Sequence, residues 1–282
     1  MFAEIAQLTG NQADADLAHS RTREMQQIIE NYGWDGEYYL CAYNDWEEKI
    51  GSKDCEEGKL FLIPQIWSVF SGVSDCGREI AAMDAVEEGL ASPVGIVISR
   101  PAYTKYDPRI GTVTKKPAGI HENGGVYLHT IAWKIAADAM LKRPDKVEAG
   151  INTFLPFRNP VVAGRAEPYM PCNSYCGMET GDHAGLPGQS WRSASGPWFV
   201  KSLVTYVFGL VPELNGLRID PCLPPSWKTC SIRKQFRGAE YAISYENDGT
   251  QIRQILVNGK PITGTVLPWE PGGNYQVQVF LK

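Results

Sequence analysis

The periodicity of the sequence changes after Gly209, and this change constrains the fold more than any other feature. Before Gly209, apolar residues recur at helical spacing, which predicts helices over residues 1–32, 75–90, 130–141, 144–155 and 190–209 and a shorter one from Pro64. After it, short alternating runs are separated by Asn247-Asp248-Gly249 and Asn258-Gly259, both typical of hairpin turns. The sequence therefore predicts a mainly α region, residues 1–212, followed by an all-β unit, residues 213–282.

Composition and charge exclude several classes of partner. The 282-residue chain is 43% hydrophobic and has no apolar run long enough to span a bilayer. Its formal net charge is −5 and it has no basic stripe, so we expect neither nucleic acid nor a membrane surface as a partner. The 7 cysteines include no Cys-x-x-Cys pair, which favours reduced thiols over a disulfide framework or a zinc site. With no signal-peptide pattern at the first residues, a cytoplasmic protein is expected.

Two long irregular segments separate the predicted helices. Residues 91–120 and 165–188 are rich in proline, glycine and polar residues and show no helical period. Loops of this length on a compact domain tend to carry functional sites. The chain also has 8 tryptophans and 13 tyrosines, whose flat rings suit the C–H faces of sugars. A carbohydrate-binding cleft is one interpretation of these rings, and a role as core filler is the other.

A polar cluster, residues 121–129, comes directly before an apolar helix. It contains His121, Glu122, His129 and the turn-forming pair Gly124-Gly125. Two imidazoles and a carboxylate beside a helix N-terminus can hold an oxyanion next to a hydroxyl-rich ligand. Each residue also has a structural interpretation. His129 can be a buried core histidine, Glu122 can cap the helix, and the glycines can form a simple turn or bring the backbone close to a ligand.

Seven short motifs run along nearly the whole chain. They are Trp34-Asp35-Gly36-Glu37-Tyr38-Tyr39, Pro64-Gln65-Ile66-Trp67, Tyr106-Asp107-Pro108-Arg109-Ile110-Gly111, Glu122-Asn123-Gly124-Gly125 with His129, Glu167-Pro168-Tyr169, Ser190-Trp191, and Gly216-Leu217-Arg218-Ile219-Asp220-Pro221-Cys222-Leu223-Pro224. Each motif alone is weak evidence. Together, and in this order, they resemble the C-terminal part of the cellobiose and chitobiose phosphorylases, glycoside hydrolase family 94.

The resemblance implies both a fold and a reaction. Family members have an (α/α)6 barrel followed by a C-terminal β-sheet unit, so the chain is expected to be the second half of such a barrel plus a small β-sheet domain. Family enzymes split a β-linked disaccharide or short oligosaccharide with inorganic phosphate and inversion, which releases an α-sugar 1-phosphate. Phosphate is a co-substrate, no metal or organic cofactor is implied, and full-length members are expected to be homodimers.

The resemblance also assigns roles to single residues. His129 and Ser195 match phosphate-binding residues of the family, and Asn173 falls near a third, a glutamine. Glu122 matches a glutamate that contacts the sugar. His121 stands where family members often have lysine, so this substrate contact is expected to depend on pH.

The proton donor of the family has no match in this chain. That donor is an aspartate in an Asp-Trp-Asn-Asp motif, whereas Asn44-Asp45-Trp46 has similar letters in a different order and place. A phosphorylase needs one acid and a set of donors that hold phosphate, because its nucleophile is already an anion. We therefore expect the chain to be a portion of an enzyme and to be inactive alone.

Other interpretations stay open. Asp35 or Glu37 is a candidate acid for an inverting glycoside hydrolase, and Asp35 is also a candidate sugar contact in a phosphorylase. A noncatalytic carbohydrate-binding protein is a further alternative. Arg192 is either an added positive charge near phosphate or a surface residue. The Asp107-Pro108-Arg109 segment is either a salt-bridged turn or a loop over the leaving-sugar site.

Overall fold

The computed structural model describes residues 2–74, 76–191 and 193–282. The chain divides into two compact units, which we call the first and the second unit. The first unit comprises Met1–Ala91 and Val97–Pro117, and the second comprises Ser92–Ile96 and Ala118–Lys282. Arg192, a candidate phosphate contact, lies outside the described residues.

The helices occupy the part of the chain before Gly209. The described α-helices are α1 (Phe2–Leu8), α2 (Gln12–Ile28), α3 (Leu62–Ser71), α4 (Arg78–Gly89), α5 (Leu128–Met140), α6 (Pro144–Phe154) and α7 (Ser195–Lys201). Shorter 3-10 or π-helical segments are Ile29–Gly33, Thr112–Lys115, Met178–His183 and Ser202–Val207.

Two predicted helices differ from the observed ones at their boundaries. The helix predicted over residues 1–32 is divided at Gly10, whose φ of +77° ends α1, and Asn11 then caps α2 by accepting a hydrogen bond from the Asp14 N–H. The helix predicted from residue 190 begins only at Ser195. Trp191 has a φ of +66°, which is incompatible with a right-handed helix.

The first unit has a core between α3 and α4. Leu62 and Ile66 of α3 and Met83 and Val86 of α4 are fully buried. The buried side chain of Gln65 accepts from the Tyr39 N–H at 2.9 Å and donates to the Tyr39 carbonyl at 2.8 Å, which attaches the segment around Tyr39 to α3. Strand pairs β1 (Ala42–Tyr43) with β2 (Lys49–Ile50) and β3 (Leu60–Phe61) with β4 (Ser99–Arg100) complete it.

The first of the seven motifs has a structural role in this unit. The Trp34 ring contacts the edge of Tyr39 at a centroid distance of 5.0 Å and lies 5.0 Å below the Arg78 guanidinium. The Tyr39 hydroxyl donates to Glu30 Oε1 at 2.6 Å, and Glu30 also pairs with Arg78. The aromatic residues of the motif therefore connect the end of α2 to the start of α4.

The helical part of the second unit is built around α5. Ten of the thirteen residues of α5 are buried, and they include the charged side chains of Lys134 and Asp138. It packs against α6, α7 and the segment Ser202–Val207. The Ser202 hydroxyl donates to the Ala132 carbonyl at 2.7 Å, which attaches that last segment to the middle of α5.

The remaining strands form three sheets in the second unit. They are β5 (Val126–Tyr127), β6 (Ser174–Tyr175), β7 (Pro187–Gly188), β8 (Leu210–Glu213), β9 (Gly216–Ile219), β10 (Thr229–Phe236), β11 (Ala239–Glu246), β12 (Ile252–Val257), β13 (Lys260–Pro261), β14 (Val266–Leu267) and β15 (Asn274–Leu281). The sheet orders are β5-β6-β7, β14-β9-β8 and β10-β11-β15-β12-β13. The last sheet buries one face, including Tyr241, Ile243, Val277 and Val279.

One of the two predicted hairpins is confirmed and the other is wrong. Asn258 and Gly259 both have positive φ and connect β12 to β13 in a two-residue turn. By contrast, residues 247–249 do not join paired strands, because β15 lies between β11 and β12 and is parallel to β11. Asn247 is buried there and donates to the carbonyls of Pro224 and Trp227, so this turn is held by tertiary contacts.

The chain is thus mainly helical before Gly209, with a β-sheet region after it, as predicted. The boundary at residues 212 and 213 and the barrel assignment stay predictions. Within the described part of the chain, no helix is both long and apolar enough to cross a bilayer.

Candidate active site

A small sheet in the second unit assembles most of the predicted site. Strand β6 lies between β5, which is part of the polar cluster, and β7, which precedes Ser195 in the chain. Tyr127 is opposite Ser174, and Ser174 is opposite Gly188. The Leu128 N–H at the start of α5 donates to the Asn173 carbonyl at 2.9 Å. Three segments that are far apart in sequence therefore meet at the N-terminus of α5.

His121 and Glu122 lie at a tight turn ahead of β5. The Asn123 N–H donates to the Ile120 carbonyl at 3.0 Å and closes the turn, in which His121 has a φ of +49°. The His121 Nδ1 is 2.9 Å from the Ser174 hydroxyl, so its ring is oriented by β6. Glu122 is half-buried and lies six residues before the first residue of α5, so it is not in the first turn of that helix.

The glycine pair has a packing requirement of its own. A Cβ at Gly125 would lie 2.6 Å from the His121 carbonyl oxygen and 3.2 Å from the Tyr175 carbonyl oxygen. Both neighbours are backbone atoms and cannot move aside like a flexible side chain. The structure shows a role that differs from both interpretations, namely close approach between backbone segments of the chain itself.

We expect Gly125→Ala to destabilise the chain by about 1–3 kcal/mol, because it overpacks the backbone between the turn and β6. Urea denaturation followed by circular dichroism measures the change. Gly196→Ala is the matched control, since its Cβ would meet only the Pro171 ring, at an ordinary 3.5 Å inside α7, and it is expected to be neutral or slightly stabilising. Equal effects of the two substitutions would contradict the prediction.

His129 occupies the first turn of α5 with an unusual environment. Its ring packs against Trp133 at a centroid distance of 4.6 Å and against Trp198 at 6.1 Å. Its Nε2 is buried and has no hydrogen-bond partner among the described residues. Burial lowers the pKa of His129 below its ordinary value, so the imidazole is neutral at pH 7. A buried ring nitrogen without a partner costs about 1–3 kcal/mol, which a ligand or water can recover.

The N-terminus of α5 adds a positive potential beside this histidine. Tyr127 occupies the N-cap and makes no side-chain capping bond. The first free N–H groups of a helix attract anions. Trp133 and Trp198, which enclose the His129 ring, were not identified from the sequence. The signal was available, because Trp133 follows His129 by one helical turn and Trp198 follows Ser195 by three residues.

Asn173 contributes to the site mainly through its position. Its Nδ2 donates to the Tyr127 hydroxyl at 3.1 Å, and its N–H donates to the Gly188 carbonyl at 3.1 Å. The half-buried amide is therefore held between β5 and β7, at the strand that also presents Ser174 to His121.

Ser195 is at the start of α7 and is completely buried. Its hydroxyl is 3.2 Å from the Cys172 carbonyl oxygen and 2.5 Å from the Ser193 hydroxyl. Ser193 is partly exposed and accepts a hydrogen bond from the Ser195 N–H at 3.1 Å. Of this pair, Ser193 is the hydroxyl that reaches the surface. Sequence reasoning missed it, although it lies two residues away in the same run of small hydroxyl residues.

Asp35 belongs to the first unit, whereas the polar cluster belongs to the second unit. Its carboxylate accepts hydrogen bonds from Lys49 Nζ and Ser52 Oγ at 2.7 Å and from the Lys53 N–H at 3.0 Å. Burial alone would raise the pKa of Asp35, but these bonds outweigh it and hold the pKa below its ordinary value. The neighbouring Glu37 is largely exposed and 3.9 Å from Lys53.

The Asp107-Pro108-Arg109 segment forms the predicted salt-bridged turn within the first unit, and a role over the leaving-sugar site stays a prediction. Arg109 pairs with Asp107 Oδ2 and with Glu48 Oε1, each at 2.9 Å. The same segment lines an open cleft of about 690 Å³ in the first unit. In the parts of the chain that are described, no group of three His, Cys, Asp or Glu side chains is placed to hold a metal ion.

Comparisons with known proteins identify the family of the chain. The glycosyl hydrolase 94 superfamily, catalytic domain, matches residues 1–209, and the glycosyl hydrolase family 65, C-terminal domain, matches residues 212–266. Solabiose phosphorylase of Paenibacillus borealis is 33% identical over 86% of this chain and 32% of its own length. N,N'-diacetylchitobiose phosphorylase of Vibrio proteolyticus is 30% identical over 99% of this chain and 36% of its own length.

A third relative, 3-O-beta-D-glucopyranosyl-beta-D-glucuronide phosphorylase of Paenibacillus borealis, is 29% identical over 97% of this chain and 36% of its own length. The chain thus spans about a third of the length of these curated relatives. The family profile covers most of the chain, and the resemblance carried by the seven motifs is confirmed. The chain belongs to the glycosyl hydrolase 94 superfamily, with a C-terminal region of the glycosyl hydrolase family 65 type.

Proposed function

We propose that this chain forms the phosphate-binding wall, and part of the leaving-sugar wall, of an inverting β-glycoside phosphorylase. The enzyme would cleave a β-linked disaccharide or short oligosaccharide with inorganic phosphate to give an α-sugar 1-phosphate. In this proposal the helical region is the second half of an (α/α)6 barrel and ends near residue 212. Homodimerisation of the full-length enzyme and a cytoplasmic location stay predictions. The three relatives described above are named as phosphorylases, which supports the reaction class.

The observation that carries the proposal is the environment of His129. Its buried Nε2 has no hydrogen-bond partner among the described residues, and it lies in the first turn of a 13-residue helix with no side-chain cap at its N-cap residue. A structural histidine in a core normally has both ring nitrogens satisfied. A phosphate oxygen would supply the missing acceptor, and the helix N-terminus would favour its charge.

The residues present perform only part of the reaction. Phosphate attacks the anomeric carbon, and the bond from that carbon to the leaving-sugar oxygen breaks. The neutral His129 imidazole would donate one N–H to phosphate, while the Ser193 hydroxyl, supported by Ser195, would donate a second hydrogen bond. Glu122 and His121 would contact the leaving sugar. The leaving oxygen takes its proton from a general acid, and the family motif that carries this acid has no counterpart in the sequence of this chain.

The hydrolase alternative is weakened by the state of Asp35. A general acid must hold its proton near neutral pH, and enzymes achieve this by raising the pKa of a carboxyl group. The pKa of Asp35 is instead lowered, and its carboxylate already accepts three hydrogen bonds. Asp35 therefore supports the fold of the first unit better than it supports proton transfer.

We expect inorganic phosphate to bind the isolated chain and His129→Ala to weaken that binding about 10- to 100-fold, since it removes a hydrogen bond to an anion. Isothermal titration calorimetry with phosphate measures the affinity. His183→Ala is the matched control, because His183 is an exposed histidine of the same unit and its removal should leave the affinity unchanged.

The alternatives give different titrations. Absence of phosphate binding by the native chain, or identical binding by His129→Ala, would contradict the proposal. Sugar binding that does not respond to phosphate would favour a noncatalytic carbohydrate-binding protein. Release of free sugar without phosphate would favour the hydrolase.

A further inference from the structure

Two loops beside the phosphate-binding residues are joined along their length. We call residues 165–173, 188–191 and 193–195 the paired loops. At their base the Asn173 N–H donates to the Gly188 carbonyl at 3.1 Å. The Ser195 hydroxyl contacts the Cys172 carbonyl at 3.2 Å, and farther out the Ser190 hydroxyl donates to Glu167 Oε2 at 2.8 Å. The paired loops therefore have a common tip, at residues 167–169 and 190–191.

Two large aromatic side chains are exposed at this tip. Tyr169 is 88% exposed and Trp191 is 73% exposed, the highest values among the large hydrophobic side chains described. Tyr169 also approaches the exposed ring of Phe157, at a centroid distance of 6.0 Å. Exposed aromatic rings next to a polar site are costly in water but suit the C–H faces of a pyranose.

The backbone holds the tryptophan in a strained conformation. Gln189 and Trp191 both have φ in the left-handed region, at +53° and +66°. Such conformations cost about 1–3 kcal/mol each for residues other than glycine, and they concentrate at functional sites. The next described residue after Trp191 is Ser193, the partly exposed serine of the proposed phosphate site. The strained residue Trp191 thus lies two positions before Ser193 in the chain.

We propose that Trp191 is a substrate-binding residue that stacks on a pyranose ring of the β-linked disaccharide, with Tyr169 as a second wall, and that Glu167 positions Trp191 through Ser190. This inference rests on the proposed function, since it names the sugar contact of the same site. The hydrogen bond from the Ser190 hydroxyl is the main cause that holds the pKa of Glu167 below its ordinary value. A hydrogen bond from the side chain of Trp191 lowers this pKa further. Glu167 is therefore ionised and available to hold both residues at neutral pH.

The test is calorimetric titration of the intact 282-residue chain with cellobiose and with N,N'-diacetylchitobiose, in saturating phosphate. Trp191→Ala is expected to weaken disaccharide binding about 3- to 10-fold, the usual range for loss of an aromatic contact, while leaving phosphate binding unchanged. Trp191→Phe should keep most of the affinity. Trp46→Ala is the matched control, because Trp46 is a 62% exposed tryptophan of the first unit, and it should have no effect.

Two further variants test the positioning role. Glu167→Ala is expected to weaken disaccharide binding as Trp191→Ala does, whereas Glu167→Gln should keep the affinity, because its amide oxygen can accept the same hydrogen bond from Ser190. If Glu167 acts through Trp191, the double variant Glu167→Ala/Trp191→Ala should bind no more weakly than Trp191→Ala alone. Additive losses would overturn the positioning role.

The outcomes separate this inference from the proposed function. If the native chain binds no phosphate, the proposed function itself fails. If phosphate binds but Trp191→Ala leaves disaccharide affinity unchanged, or if the native chain binds no disaccharide up to its solubility limit, only the sugar-stacking inference is overturned.

Discussion

The 282-residue chain alone is expected to release no sugar 1-phosphate from a β-linked disaccharide and phosphate. The sequence has no Asp-Trp-Asn-Asp motif, and Asp35, one of the two carboxyl groups considered as substitutes, has a lowered pKa. Without a general acid the leaving oxygen departs as an unprotonated alkoxide, and such assistance is worth about 10²–10⁴-fold in rate. Incubation of the purified chain with cellobiose or N,N'-diacetylchitobiose, with quantification of sugar 1-phosphate, measures this.

The positive control is the N,N'-diacetylchitobiose phosphorylase of Vibrio proteolyticus. The match between the two proteins covers 99% of this chain and 36% of the relative. A chimera in which the chain replaces the matching part of that relative supplies the remaining residues. We expect the chimera to regain phosphorolysis and to lose it again with His129→Ala. Sugar 1-phosphate formed by the isolated chain, and abolished in its own His129→Ala variant, would contradict the expectation.

Asp138→Ala is expected to destabilise the second unit by about 3–5 kcal/mol, the usual cost of breaking a buried ion pair. Lys134 and Asp138 are one turn apart on α5, their side chains are 3% and 0% exposed, and Lys134 Nζ lies 2.6 Å from Asp138 Oδ2. Removal of the carboxylate leaves a buried ammonium without this partner. Urea denaturation followed by circular dichroism gives the change in unfolding free energy.

A double variant separates the burial of charge from packing. Lys134→Met with Asp138→Leu removes both charges of this pair and keeps apolar volume, but it leaves Arg143, whose Nε lies 3.9 Å from Asp138 Oδ1. The double variant should therefore recover part of the stability lost in Asp138→Ala. Glu24→Ala provides the surface comparison, because the Arg21–Glu24 pair on α2 is exposed and such pairs contribute little. A loss in Asp138→Ala as small as in Glu24→Ala would show that the buried pair does not stabilise α5.

Local patterns predicted the helices well where nothing competed with them. The apolar period of α5 and α6 and the proline at the first position of α6 are sufficient, because helix propensity and burial agree there. The helix predicted from residue 190 failed at its start. Gln189 and Trp191 have positive φ there, and Ser190 is held by Glu167, a partner 23 residues away that nothing in the local pattern indicates.

The β region shows the same limit. The Asn258-Gly259 turn determines its hairpin locally, since both residues tolerate the positive φ that such a turn needs. The turn at residues 247–249 has equally favourable residues. However, β15 inserts between β11 and β12, and this pairing depends on a strand that ends at residue 281. Strand order is a non-local property, so turn residues alone do not decide it.

By itself the sequence determined the mainly helical region, the β-sheet region after Gly209 and the family, because periodicity and the order of seven motifs are properties of the chain. Only the tertiary structure decided how the site is assembled. It placed Asn173, Ser174 and Cys172 between the polar cluster and α7, left His129 Nε2 without a partner among the described residues, and buried Ser195 behind Ser193. Burial and hydrogen-bond partners depend on residues that are far apart in sequence. For this physical reason, motif matching identified the segment at residues 190–195 but did not show that Ser193 carries the hydroxyl that reaches the surface.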